Sequence, residues 1–411
     1  MLRNYLTLSL KILGRRKYFT FVSLFGVGFT LLVLTLAAAM LDHVFGAFPP
    51  ETRPDRILSV QAVKMEGKES ISTGPAGYAF FDRYFRNLPG VERMSLMSQP
   101  STVVSYWKGA RLKSILKRTD ADFFRILEFD FLEGAPFGET DVEGGRFVAV
   151  INETTRAKFF GSGKAVGETI EADGQTFTVV GVVPDVPIYR LLATGDIYVT
   201  LTTAKSDDYK TKLRGGILAL FLARDPASIP FVQQEFKARL SKVDLPEQFD
   251  RVHAMPETGF AGVARVFFGD FESDSASGRL LALLLTGAFL FMLLPAVNLV
   301  NLNVSRALER ASEIGVRRAF GASARDLMLQ FLFENVVVSV VGGVLALAAS
   351  AAVLAALNAS DLIPYAHLSL NLRIAAWGFG FALVFGVVSG VWPAWRLSRL
   401  NPIAALSGGT R

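Results

Sequence analysis

The sequence predicts a membrane α-helical bundle of four transmembrane helices, one before and three after a large extracytoplasmic α+β domain with a β-rich insertion. Three observations lead there. The 411 residues are 51% apolar and 19% charged, with a mean hydropathy of +0.37, whereas soluble domains carry roughly 25% charge. The apolar excess collects in four uncharged or nearly uncharged runs. Between the first and second of these lies a long excursion of ordinary charge density.

The first run is Tyr18–Leu41, preceded by Arg15, Arg16 and Lys17. At 1.5 Å per residue its helix is about 36 Å long, enough to cross a hydrocarbon core of about 30 Å. Ala37-Ala38-Ala39 resembles a signal-peptide cleavage site. The run is longer than the roughly 7–15 residues of a signal core, so a retained anchor is expected. Transmembrane helix 2 is expected at 280–305, between Arg279 and Arg306. Helix 3 follows at 331–357, with Glu334 as its one charge, and helix 4 at 374–392, between Arg373 and Arg396.

Charge placement sets the orientation. Residues 1–17 carry Arg3, Lys11, Arg15, Arg16 and Lys17 and no acid. The 306–330 loop carries Arg306, Arg310, Arg317, Arg318 and Arg325, and the 393–411 tail carries Arg396, Arg399 and Arg411. Both termini and that loop are therefore expected in the cytoplasm, with 42–279 and the turn at 358–373 outside. Residues 42–279 hold 29 basic and 32 acidic residues, and the remainder 14 and 5. The overall charge of +6 is thus a cytoplasmic +9 against an external −3. It reports topology, and nucleic acid is excluded as a partner.

The external segment reads as folded. Ile57–Met65 is a β-rich run, Tyr78–Leu88 helical and Ser101–Trp107 a strand. The order recurs as strand Ile217–Ala223, helix Phe231–Leu240 and strand Phe249–Ala254. These two units flank a β-rich insertion at about 119–205, with strands expected at Phe147–Ile151, Thr169–Ala172 and Thr176–Val183. Residues Glu272–Gly278 form a polar linker into the second span.

Reactive chemistry is not evident. Zero cysteines exclude a disulfide framework, thiol catalysis and cysteine-ligated metal. His43, His253 and His367 lack metal-ligand spacing, so no metal site is assigned. Gly161-Ser-Gly-Lys164 lacks the first glycine and the hydroxyl residue of a phosphate loop and is read as a turn. No catalytic residue is assigned. Glu334 and Asn298 are the intramembrane polar candidates, since such groups are costly in lipid. For Glu334 the choice is between an ion or proton site and a carboxylate reaching the interface near a helix N-terminus. Asn298, with Asn301 and Asn303, could hydrogen-bond between helices. Gly386-Val-Val-Ser-Gly390 could permit close helix packing.

The cytoplasmic loop is the informative segment. Ser312–Phe320 reads as a short helix closed by Gly321, and Ser323 with Asp326 as the capping box of the next. Such a loop is either a solvated connector or a docking helix for a cytosolic partner.

Glu313-Ile-Gly-Val-Arg-Arg-Ala-Phe-Gly-Ala322 resembles the corresponding loop of the MacB/FtsX-type ABC transporter permeases. The likeness continues through Gln330-Phe-Leu-Phe-Glu334, Gly342-Gly343, Pro393-Ala-Trp-Arg396 and Arg399–Leu406. Outside the membrane it includes Asp120–Phe124, Glu133-Gly134, Val148–Asn152, Phe160-Gly161 and Phe177–Val182. Residues 1–17 are similar to the family's cytoplasmic amphipathic N-terminal helix. The resemblance implies a separate-subunit permease with no fused ATPase, itself not an enzyme. It implies no cofactor in this chain, ATP and Mg being held by a cytosolic ABC ATPase partner. That ATPase would be coupled through Glu313, Ile314, Gly315, Arg317, Arg318 and Gly321. A second permease, identical or paralogous, is implied, as are a periplasmic adaptor or outer-membrane duct and the lipid of a bacterial inner membrane. Motion driven by ATP would reach the extracytoplasmic MacB-like core domain for export or efflux. The alternatives are an FtsX-like signalling permease regulating a cell-wall hydrolase, and a lipoprotein-extracting permease.

Overall fold

The first apolar run folds as α1, Lys17–Phe45, five residues longer than its uncharged stretch. The structure, a computed structural model, describes residues 17–269, 276–309, 316, 320–360, 362 and 368–398. The chain divides into two units. One comprises His43–Leu281 with Ile363–Ala366, and the other Met1–Asp42, Ala282–Leu362 and His367–Arg411.

The first of these is α+β. In chain order its elements are β1 (Ile57–Val60), β2 (Val63–Glu66), β3 (Ile71–Gly74), α2 (Tyr78–Tyr84), β4 (Val91–Ser98), β5 (Ser101–Trp107) and β6 (Ala110–Thr119). Next come α3 (Asp122–Ile126), β7 (Glu133–Gly134), α4 (Glu139–Glu143), β8 (Val148–Asn152), α5 (Glu153–Phe160), β9 (Thr169–Ala172) and β10 (Gln175–Val183). The unit closes with β11 (Ile197–Thr200), β12 (Ile217–Ala223), α6 (Ile229–Leu240), β13 (Arg251–His253) and α7 (Gly259–Phe268).

β12 is buried at every position because both of its faces are covered. It lies between β1 and β4, antiparallel to each. Ile217, Ala219 and Phe221 point into a core with Phe80, Phe85 and Phe236, where the Phe85 and Phe236 rings stack at 4.0 Å. Leu218, Leu220 and Leu222 alternate to the other face and meet Phe123, Phe124 and Tyr198. The run read from sequence as one strand, Ile57–Met65, splits at Gln61-Ala62. β1 joins β12, while β2 joins β13 and β3 in a separate three-stranded sheet.

The middle of the unit is a closed ring of six strands, β6–β11–β8–β10–β9–β5, in which β5 returns to pair with β6. Closure leaves no free edge within the ring. Its apolar interior includes Leu116, Ile151, Ile170, Phe177, Val179 and Val199. A bulge between Val179 and Gly181 shifts the register so that Val182 joins the same interior. β5 therefore belongs to the ring, pairing with β6 and β9.

The second unit contains the rest of α1, α8 (Ala276–Glu309) from Ala282 onward, α9 (Ala324–Ala359) and α10 (Leu372–Ser398). α9 begins at an N-cap, Ser323, whose Oγ accepts from the Asp326 N–H at 3.2 Å while the Asp326 carboxylate accepts from the Ser323 N–H at 3.2 Å. Val27, Leu31, Leu299, Ala346 and Ala382 form its buried core. Glycine sets the approach of α9 to α10: a Cβ on Gly343 would lie 2.2 Å from the Phe379 ring, and one on Gly386 2.1 Å from Ser339 Oγ. Among the described residues, three helices are long and apolar enough to cross a membrane, Lys17–Phe45, Ala276–Leu302 and Met328–Ala359. The apolar helical stretch of α10 is Leu372–Val388.

Candidate functional site

An α-helix ends with carbonyls that have no intrahelical donor. At the end of α1 that deficit is met by Arg190, from the loop between β10 and β11. Its Nη2 donates to the carbonyl oxygens of His43 at 2.7 Å and Gly46 at 3.1 Å. Its Nη1 donates to Phe48 O at 3.2 Å and reaches the Glu51 carboxylate at 3.4 Å. The guanidinium also faces the Phe48 ring, with its carbon 5.6 Å from the centroid. Arg190 is buried. A cation at a helix C-terminus meets the negative end of the helix dipole, and five donors in a planar fork can serve several carbonyls at once.

The loop that presents Arg190 is itself held. The Thr194 N–H donates to Arg190 O at 2.8 Å, and the Tyr198 hydroxyl to Ala193 O at 2.8 Å. Tyr189 places its ring edge-on to His43 at 5.4 Å, and His43 lies 5.5 Å from Phe48. From below, Lys117 of β6 donates through Nζ to Leu191 O at 3.2 Å and Leu192 O at 2.6 Å. Lys117 is fully buried, and this burial pushes its ammonium pKa down to about 7, against the pull of Glu51. Burial likewise pushes the Glu51 carboxyl up, opposed by the charges of Arg190 and Lys117.

Two carboxylates lock the strands that carry this site. Asp120, just after β6, accepts from Ser95 Oγ at 2.6 Å, Leu96 N at 2.7 Å and Phe123 N at 3.2 Å. Its burial outweighs these bonds and raises its pKa to about 6. Asp196, just before β11, accepts from Ile115 N at 2.7 Å and Asn152 Nδ2 at 2.9 Å, bridging β6 and β8. The arrangement holds a backbone in place. Residues 43–48, the Arg190 loop and the closed ring are joined by these hydrogen bonds within the His43–Leu281 unit.

Of the residues singled out by sequence, Glu313, Ile314, Gly315, Arg317 and Arg318 lie outside the described residues. Gly321 has φ +93°, the left-handed conformation expected of a helix-terminating glycine, and the preceding Phe320 N–H bonds to Val316 O at 3.1 Å. Glu334 is buried and accepts from Gln330 Nε2 at 3.1 Å, so its carboxylate turns into the helix packing. Asn298 lies exposed on α8. Gly161 closes α5 with φ +59°, a backbone conformation that favours glycine, and Gly161–Lys164 follows it as a turn. Arg190, Glu51 and Lys117 were not singled out. Only Arg190 carries a local signal, a lone cation inside the apolar stretch Val186-Pro-Ile-Tyr-Arg190-Leu-Leu-Ala193.

Residues 20–239 match the MacB-like periplasmic core domain, and residues 285–402 the FtsX-like permease C-terminal domain. The macrolide export ATP-binding/permease protein MacB of Bdellovibrio bacteriovorus is 31% identical over 66% of this chain and 40% of its own length. The pyoverdine export ATP-binding/permease protein PvdT of Pseudomonas syringae pv. tomato is 29% identical over 70% of this chain and 42% of its own. The chain thus spans about two-fifths of the length of these curated relatives. The crystal structure of the periplasmic region of MacB from Actinobacillus actinomycetemcomitans covers 53% of the chain, and 94% of its own, at 13% identity and a TM-score of 0.38. With one family model accounting for more than half of the residues and a second for the C-terminal helices, the chain belongs to the MacB/FtsX-type ABC transporter permease family.

Proposed function

We propose that the chain is the permease subunit of a MacB-like exporter, carrying ATP-driven motion from a separate cytosolic ATPase to its extracytoplasmic domain. The observation that carries this reading is the Arg190 clamp. A membrane helix whose last turn, at His43 O, and the Gly46 carbonyl just beyond it are bound by a buried guanidinium of the external domain can pull on that domain without slipping. α10 is the fourth span, both termini lie in the cytoplasm, and the ATPase with its ATP and Mg docks on Glu313–Gly321. A second permease completes the assembly, and a periplasmic adaptor or outer-membrane duct receives the cargo. The macrolide and pyoverdine export named for two relatives supports efflux over control of a cell-wall hydrolase.

The test is purification with the native ATPase. Co-purification, with coupled ATP hydrolysis lowered by Glu313→Ala or Arg317→Ala and membrane insertion unchanged, is the expected result. Absence of any bound ATPase, or full activity in both variants, contradicts the reading. Loss of compound efflux in a deletion strain, with normal cell-wall hydrolysis, separates export from hydrolase control.

A further inference from the structure

α7 is turned inside out for a helix on a water-facing surface. Its one charged residue, Arg265, is buried in a two-pronged ion pair: Nε to Glu257 Oε2 at 2.7 Å and Nη2 to Glu257 Oε1 at 2.7 Å. Glu257 is fixed in turn by backbone bonds to Ser59 of β1, at 2.8 and 3.1 Å. The opposite face presents Val263, Val266 and Phe267, which are 41%, 57% and 64% exposed. A solvated helix normally shows the reverse arrangement, with charge outward and apolar side chains inward.

The chain itself indicates what covers this face. α7 ends at Gly269, which has φ +62°, and α8 begins at Ala276. Arg279, in the first turn of α8 and the last charge before its apolar run, sits with its guanidinium carbon 4.8 Å from the Phe268 ring centroid. An arginine opening a membrane span marks the headgroup level. Phe268 is therefore at that level, and so is the C-terminal end of α7. We propose that α7 is an interfacial helix, its Val263–Val266–Phe267 face seated at the headgroup–acyl boundary of the outer leaflet. Helices of this kind insert their apolar face by roughly 5–10 Å. The Glu257–Arg265 pair holds the helix to β1 in that orientation. The proposal rests on α8 crossing the bilayer.

The absence of cysteine allows single-site labelling of the full chain in phosphatidylcholine vesicles. Val266→Cys and, separately, Val263→Cys carry an environment-sensitive dye. Ile71→Cys on β3, 71% exposed, is the aqueous control, and Leu285→Cys on α8 reports the span itself. Severalfold stronger quenching at 266 and 263 than at 71 by lipid spin-labelled near the headgroup end of its chains is the expected result. Quenching at both sites by aqueous iodide alone overturns the proposal. Shielding from both quenchers also overturns it, since a protein surface would then cover the face. A lipid-accessible Leu285 label beside water-exposed α7 labels would refute the α7 assignment while leaving the span intact.

Discussion

The guanidinium of Arg190 donates to the carbonyl oxygen of His43 at 2.7 Å, across 147 residues of sequence, and so ties the root of the first membrane helix to the closed ring of strands. No local preference of either segment dictates that bond. It exists because the 184–196 loop folds back over the end of α1.

Removing the guanidinium leaves three carbonyls and the Glu51 carboxylate facing an apolar pocket. Arg190→Ala is predicted to cost about 3–5 kcal/mol, the usual range for one partner lost from a buried charged network. Thermal unfolding of the full chain in detergent would measure it. Arg190→Lys should recover only part of the loss, because one ammonium cannot span His43, Gly46 and Phe48 together.

Lys117 predicts a pH dependence. Its folded pKa is about 7, below its ordinary 10.5, so the folded state releases this proton first. Stability should rise as pH climbs from 7 towards 10.5, and the penalty is full below 7. Over the whole window the effect is roughly 4–5 kcal/mol at 1.36 kcal/mol per unit. Asp120 acts in a lower window with the opposite sign: its pKa is raised from 3.8 to about 6, so stability is lost as pH rises between those values. Glu51, also raised, shares the sign of Asp120. The melting temperature of Lys117→Met should therefore lack the alkaline rise that the unsubstituted chain shows. An identical rise in both would contradict the assignment.

Close helix packing in the membrane unit predicts a steric cost. Gly343→Ala places a methyl 2.2 Å from the Phe379 ring, so α9 and α10 must separate or the ring must turn. Overpacking of this kind costs about 1–3 kcal/mol. Gly343→Ala combined with Phe379→Leu should regain much of the lost thermal stability. An unaltered melting temperature in Gly343→Ala alone would refute the packing.

These contacts also show what was legible beforehand. Ile217–Ala223 was readable as a strand because a strand covered on both faces is an unbroken apolar run, and the structure has it at those bounds. β4 is not legible in the sequence: in Val91-Glu-Arg-Met-Ser-Leu-Met-Ser98 only Ser95, Leu96 and Met97 are buried, so its pattern is half polar. The break at Gln61-Ala62 passed unseen because both halves are β-rich, although they enter different sheets. Ring closure depends on β5 pairing with β9 some 66 residues later, Ser105 opposite Ala172 at 67 and Tyr106 opposite Glu171 at 65, which no local period encodes. The Arg190 clamp is non-local in the same way. The 306–330 loop, by contrast, is legible through its capping residues: Ser323, Asp326 and Gly321 adopt the geometry that those residue types favour.

On the proposed function, ATP hydrolysed in the cytosol moves the extracytoplasmic domain through α1. A single dye on Ile71→Cys, attached before the ATPase is added, would report that motion in reconstituted vesicles. The expected result is an ATP-dependent change in dye signal that is lost with Arg317→Ala, and lost with Arg190→Ala even where ATP is still hydrolysed. A signal indifferent to ATP while the bound ATPase turns over would contradict it.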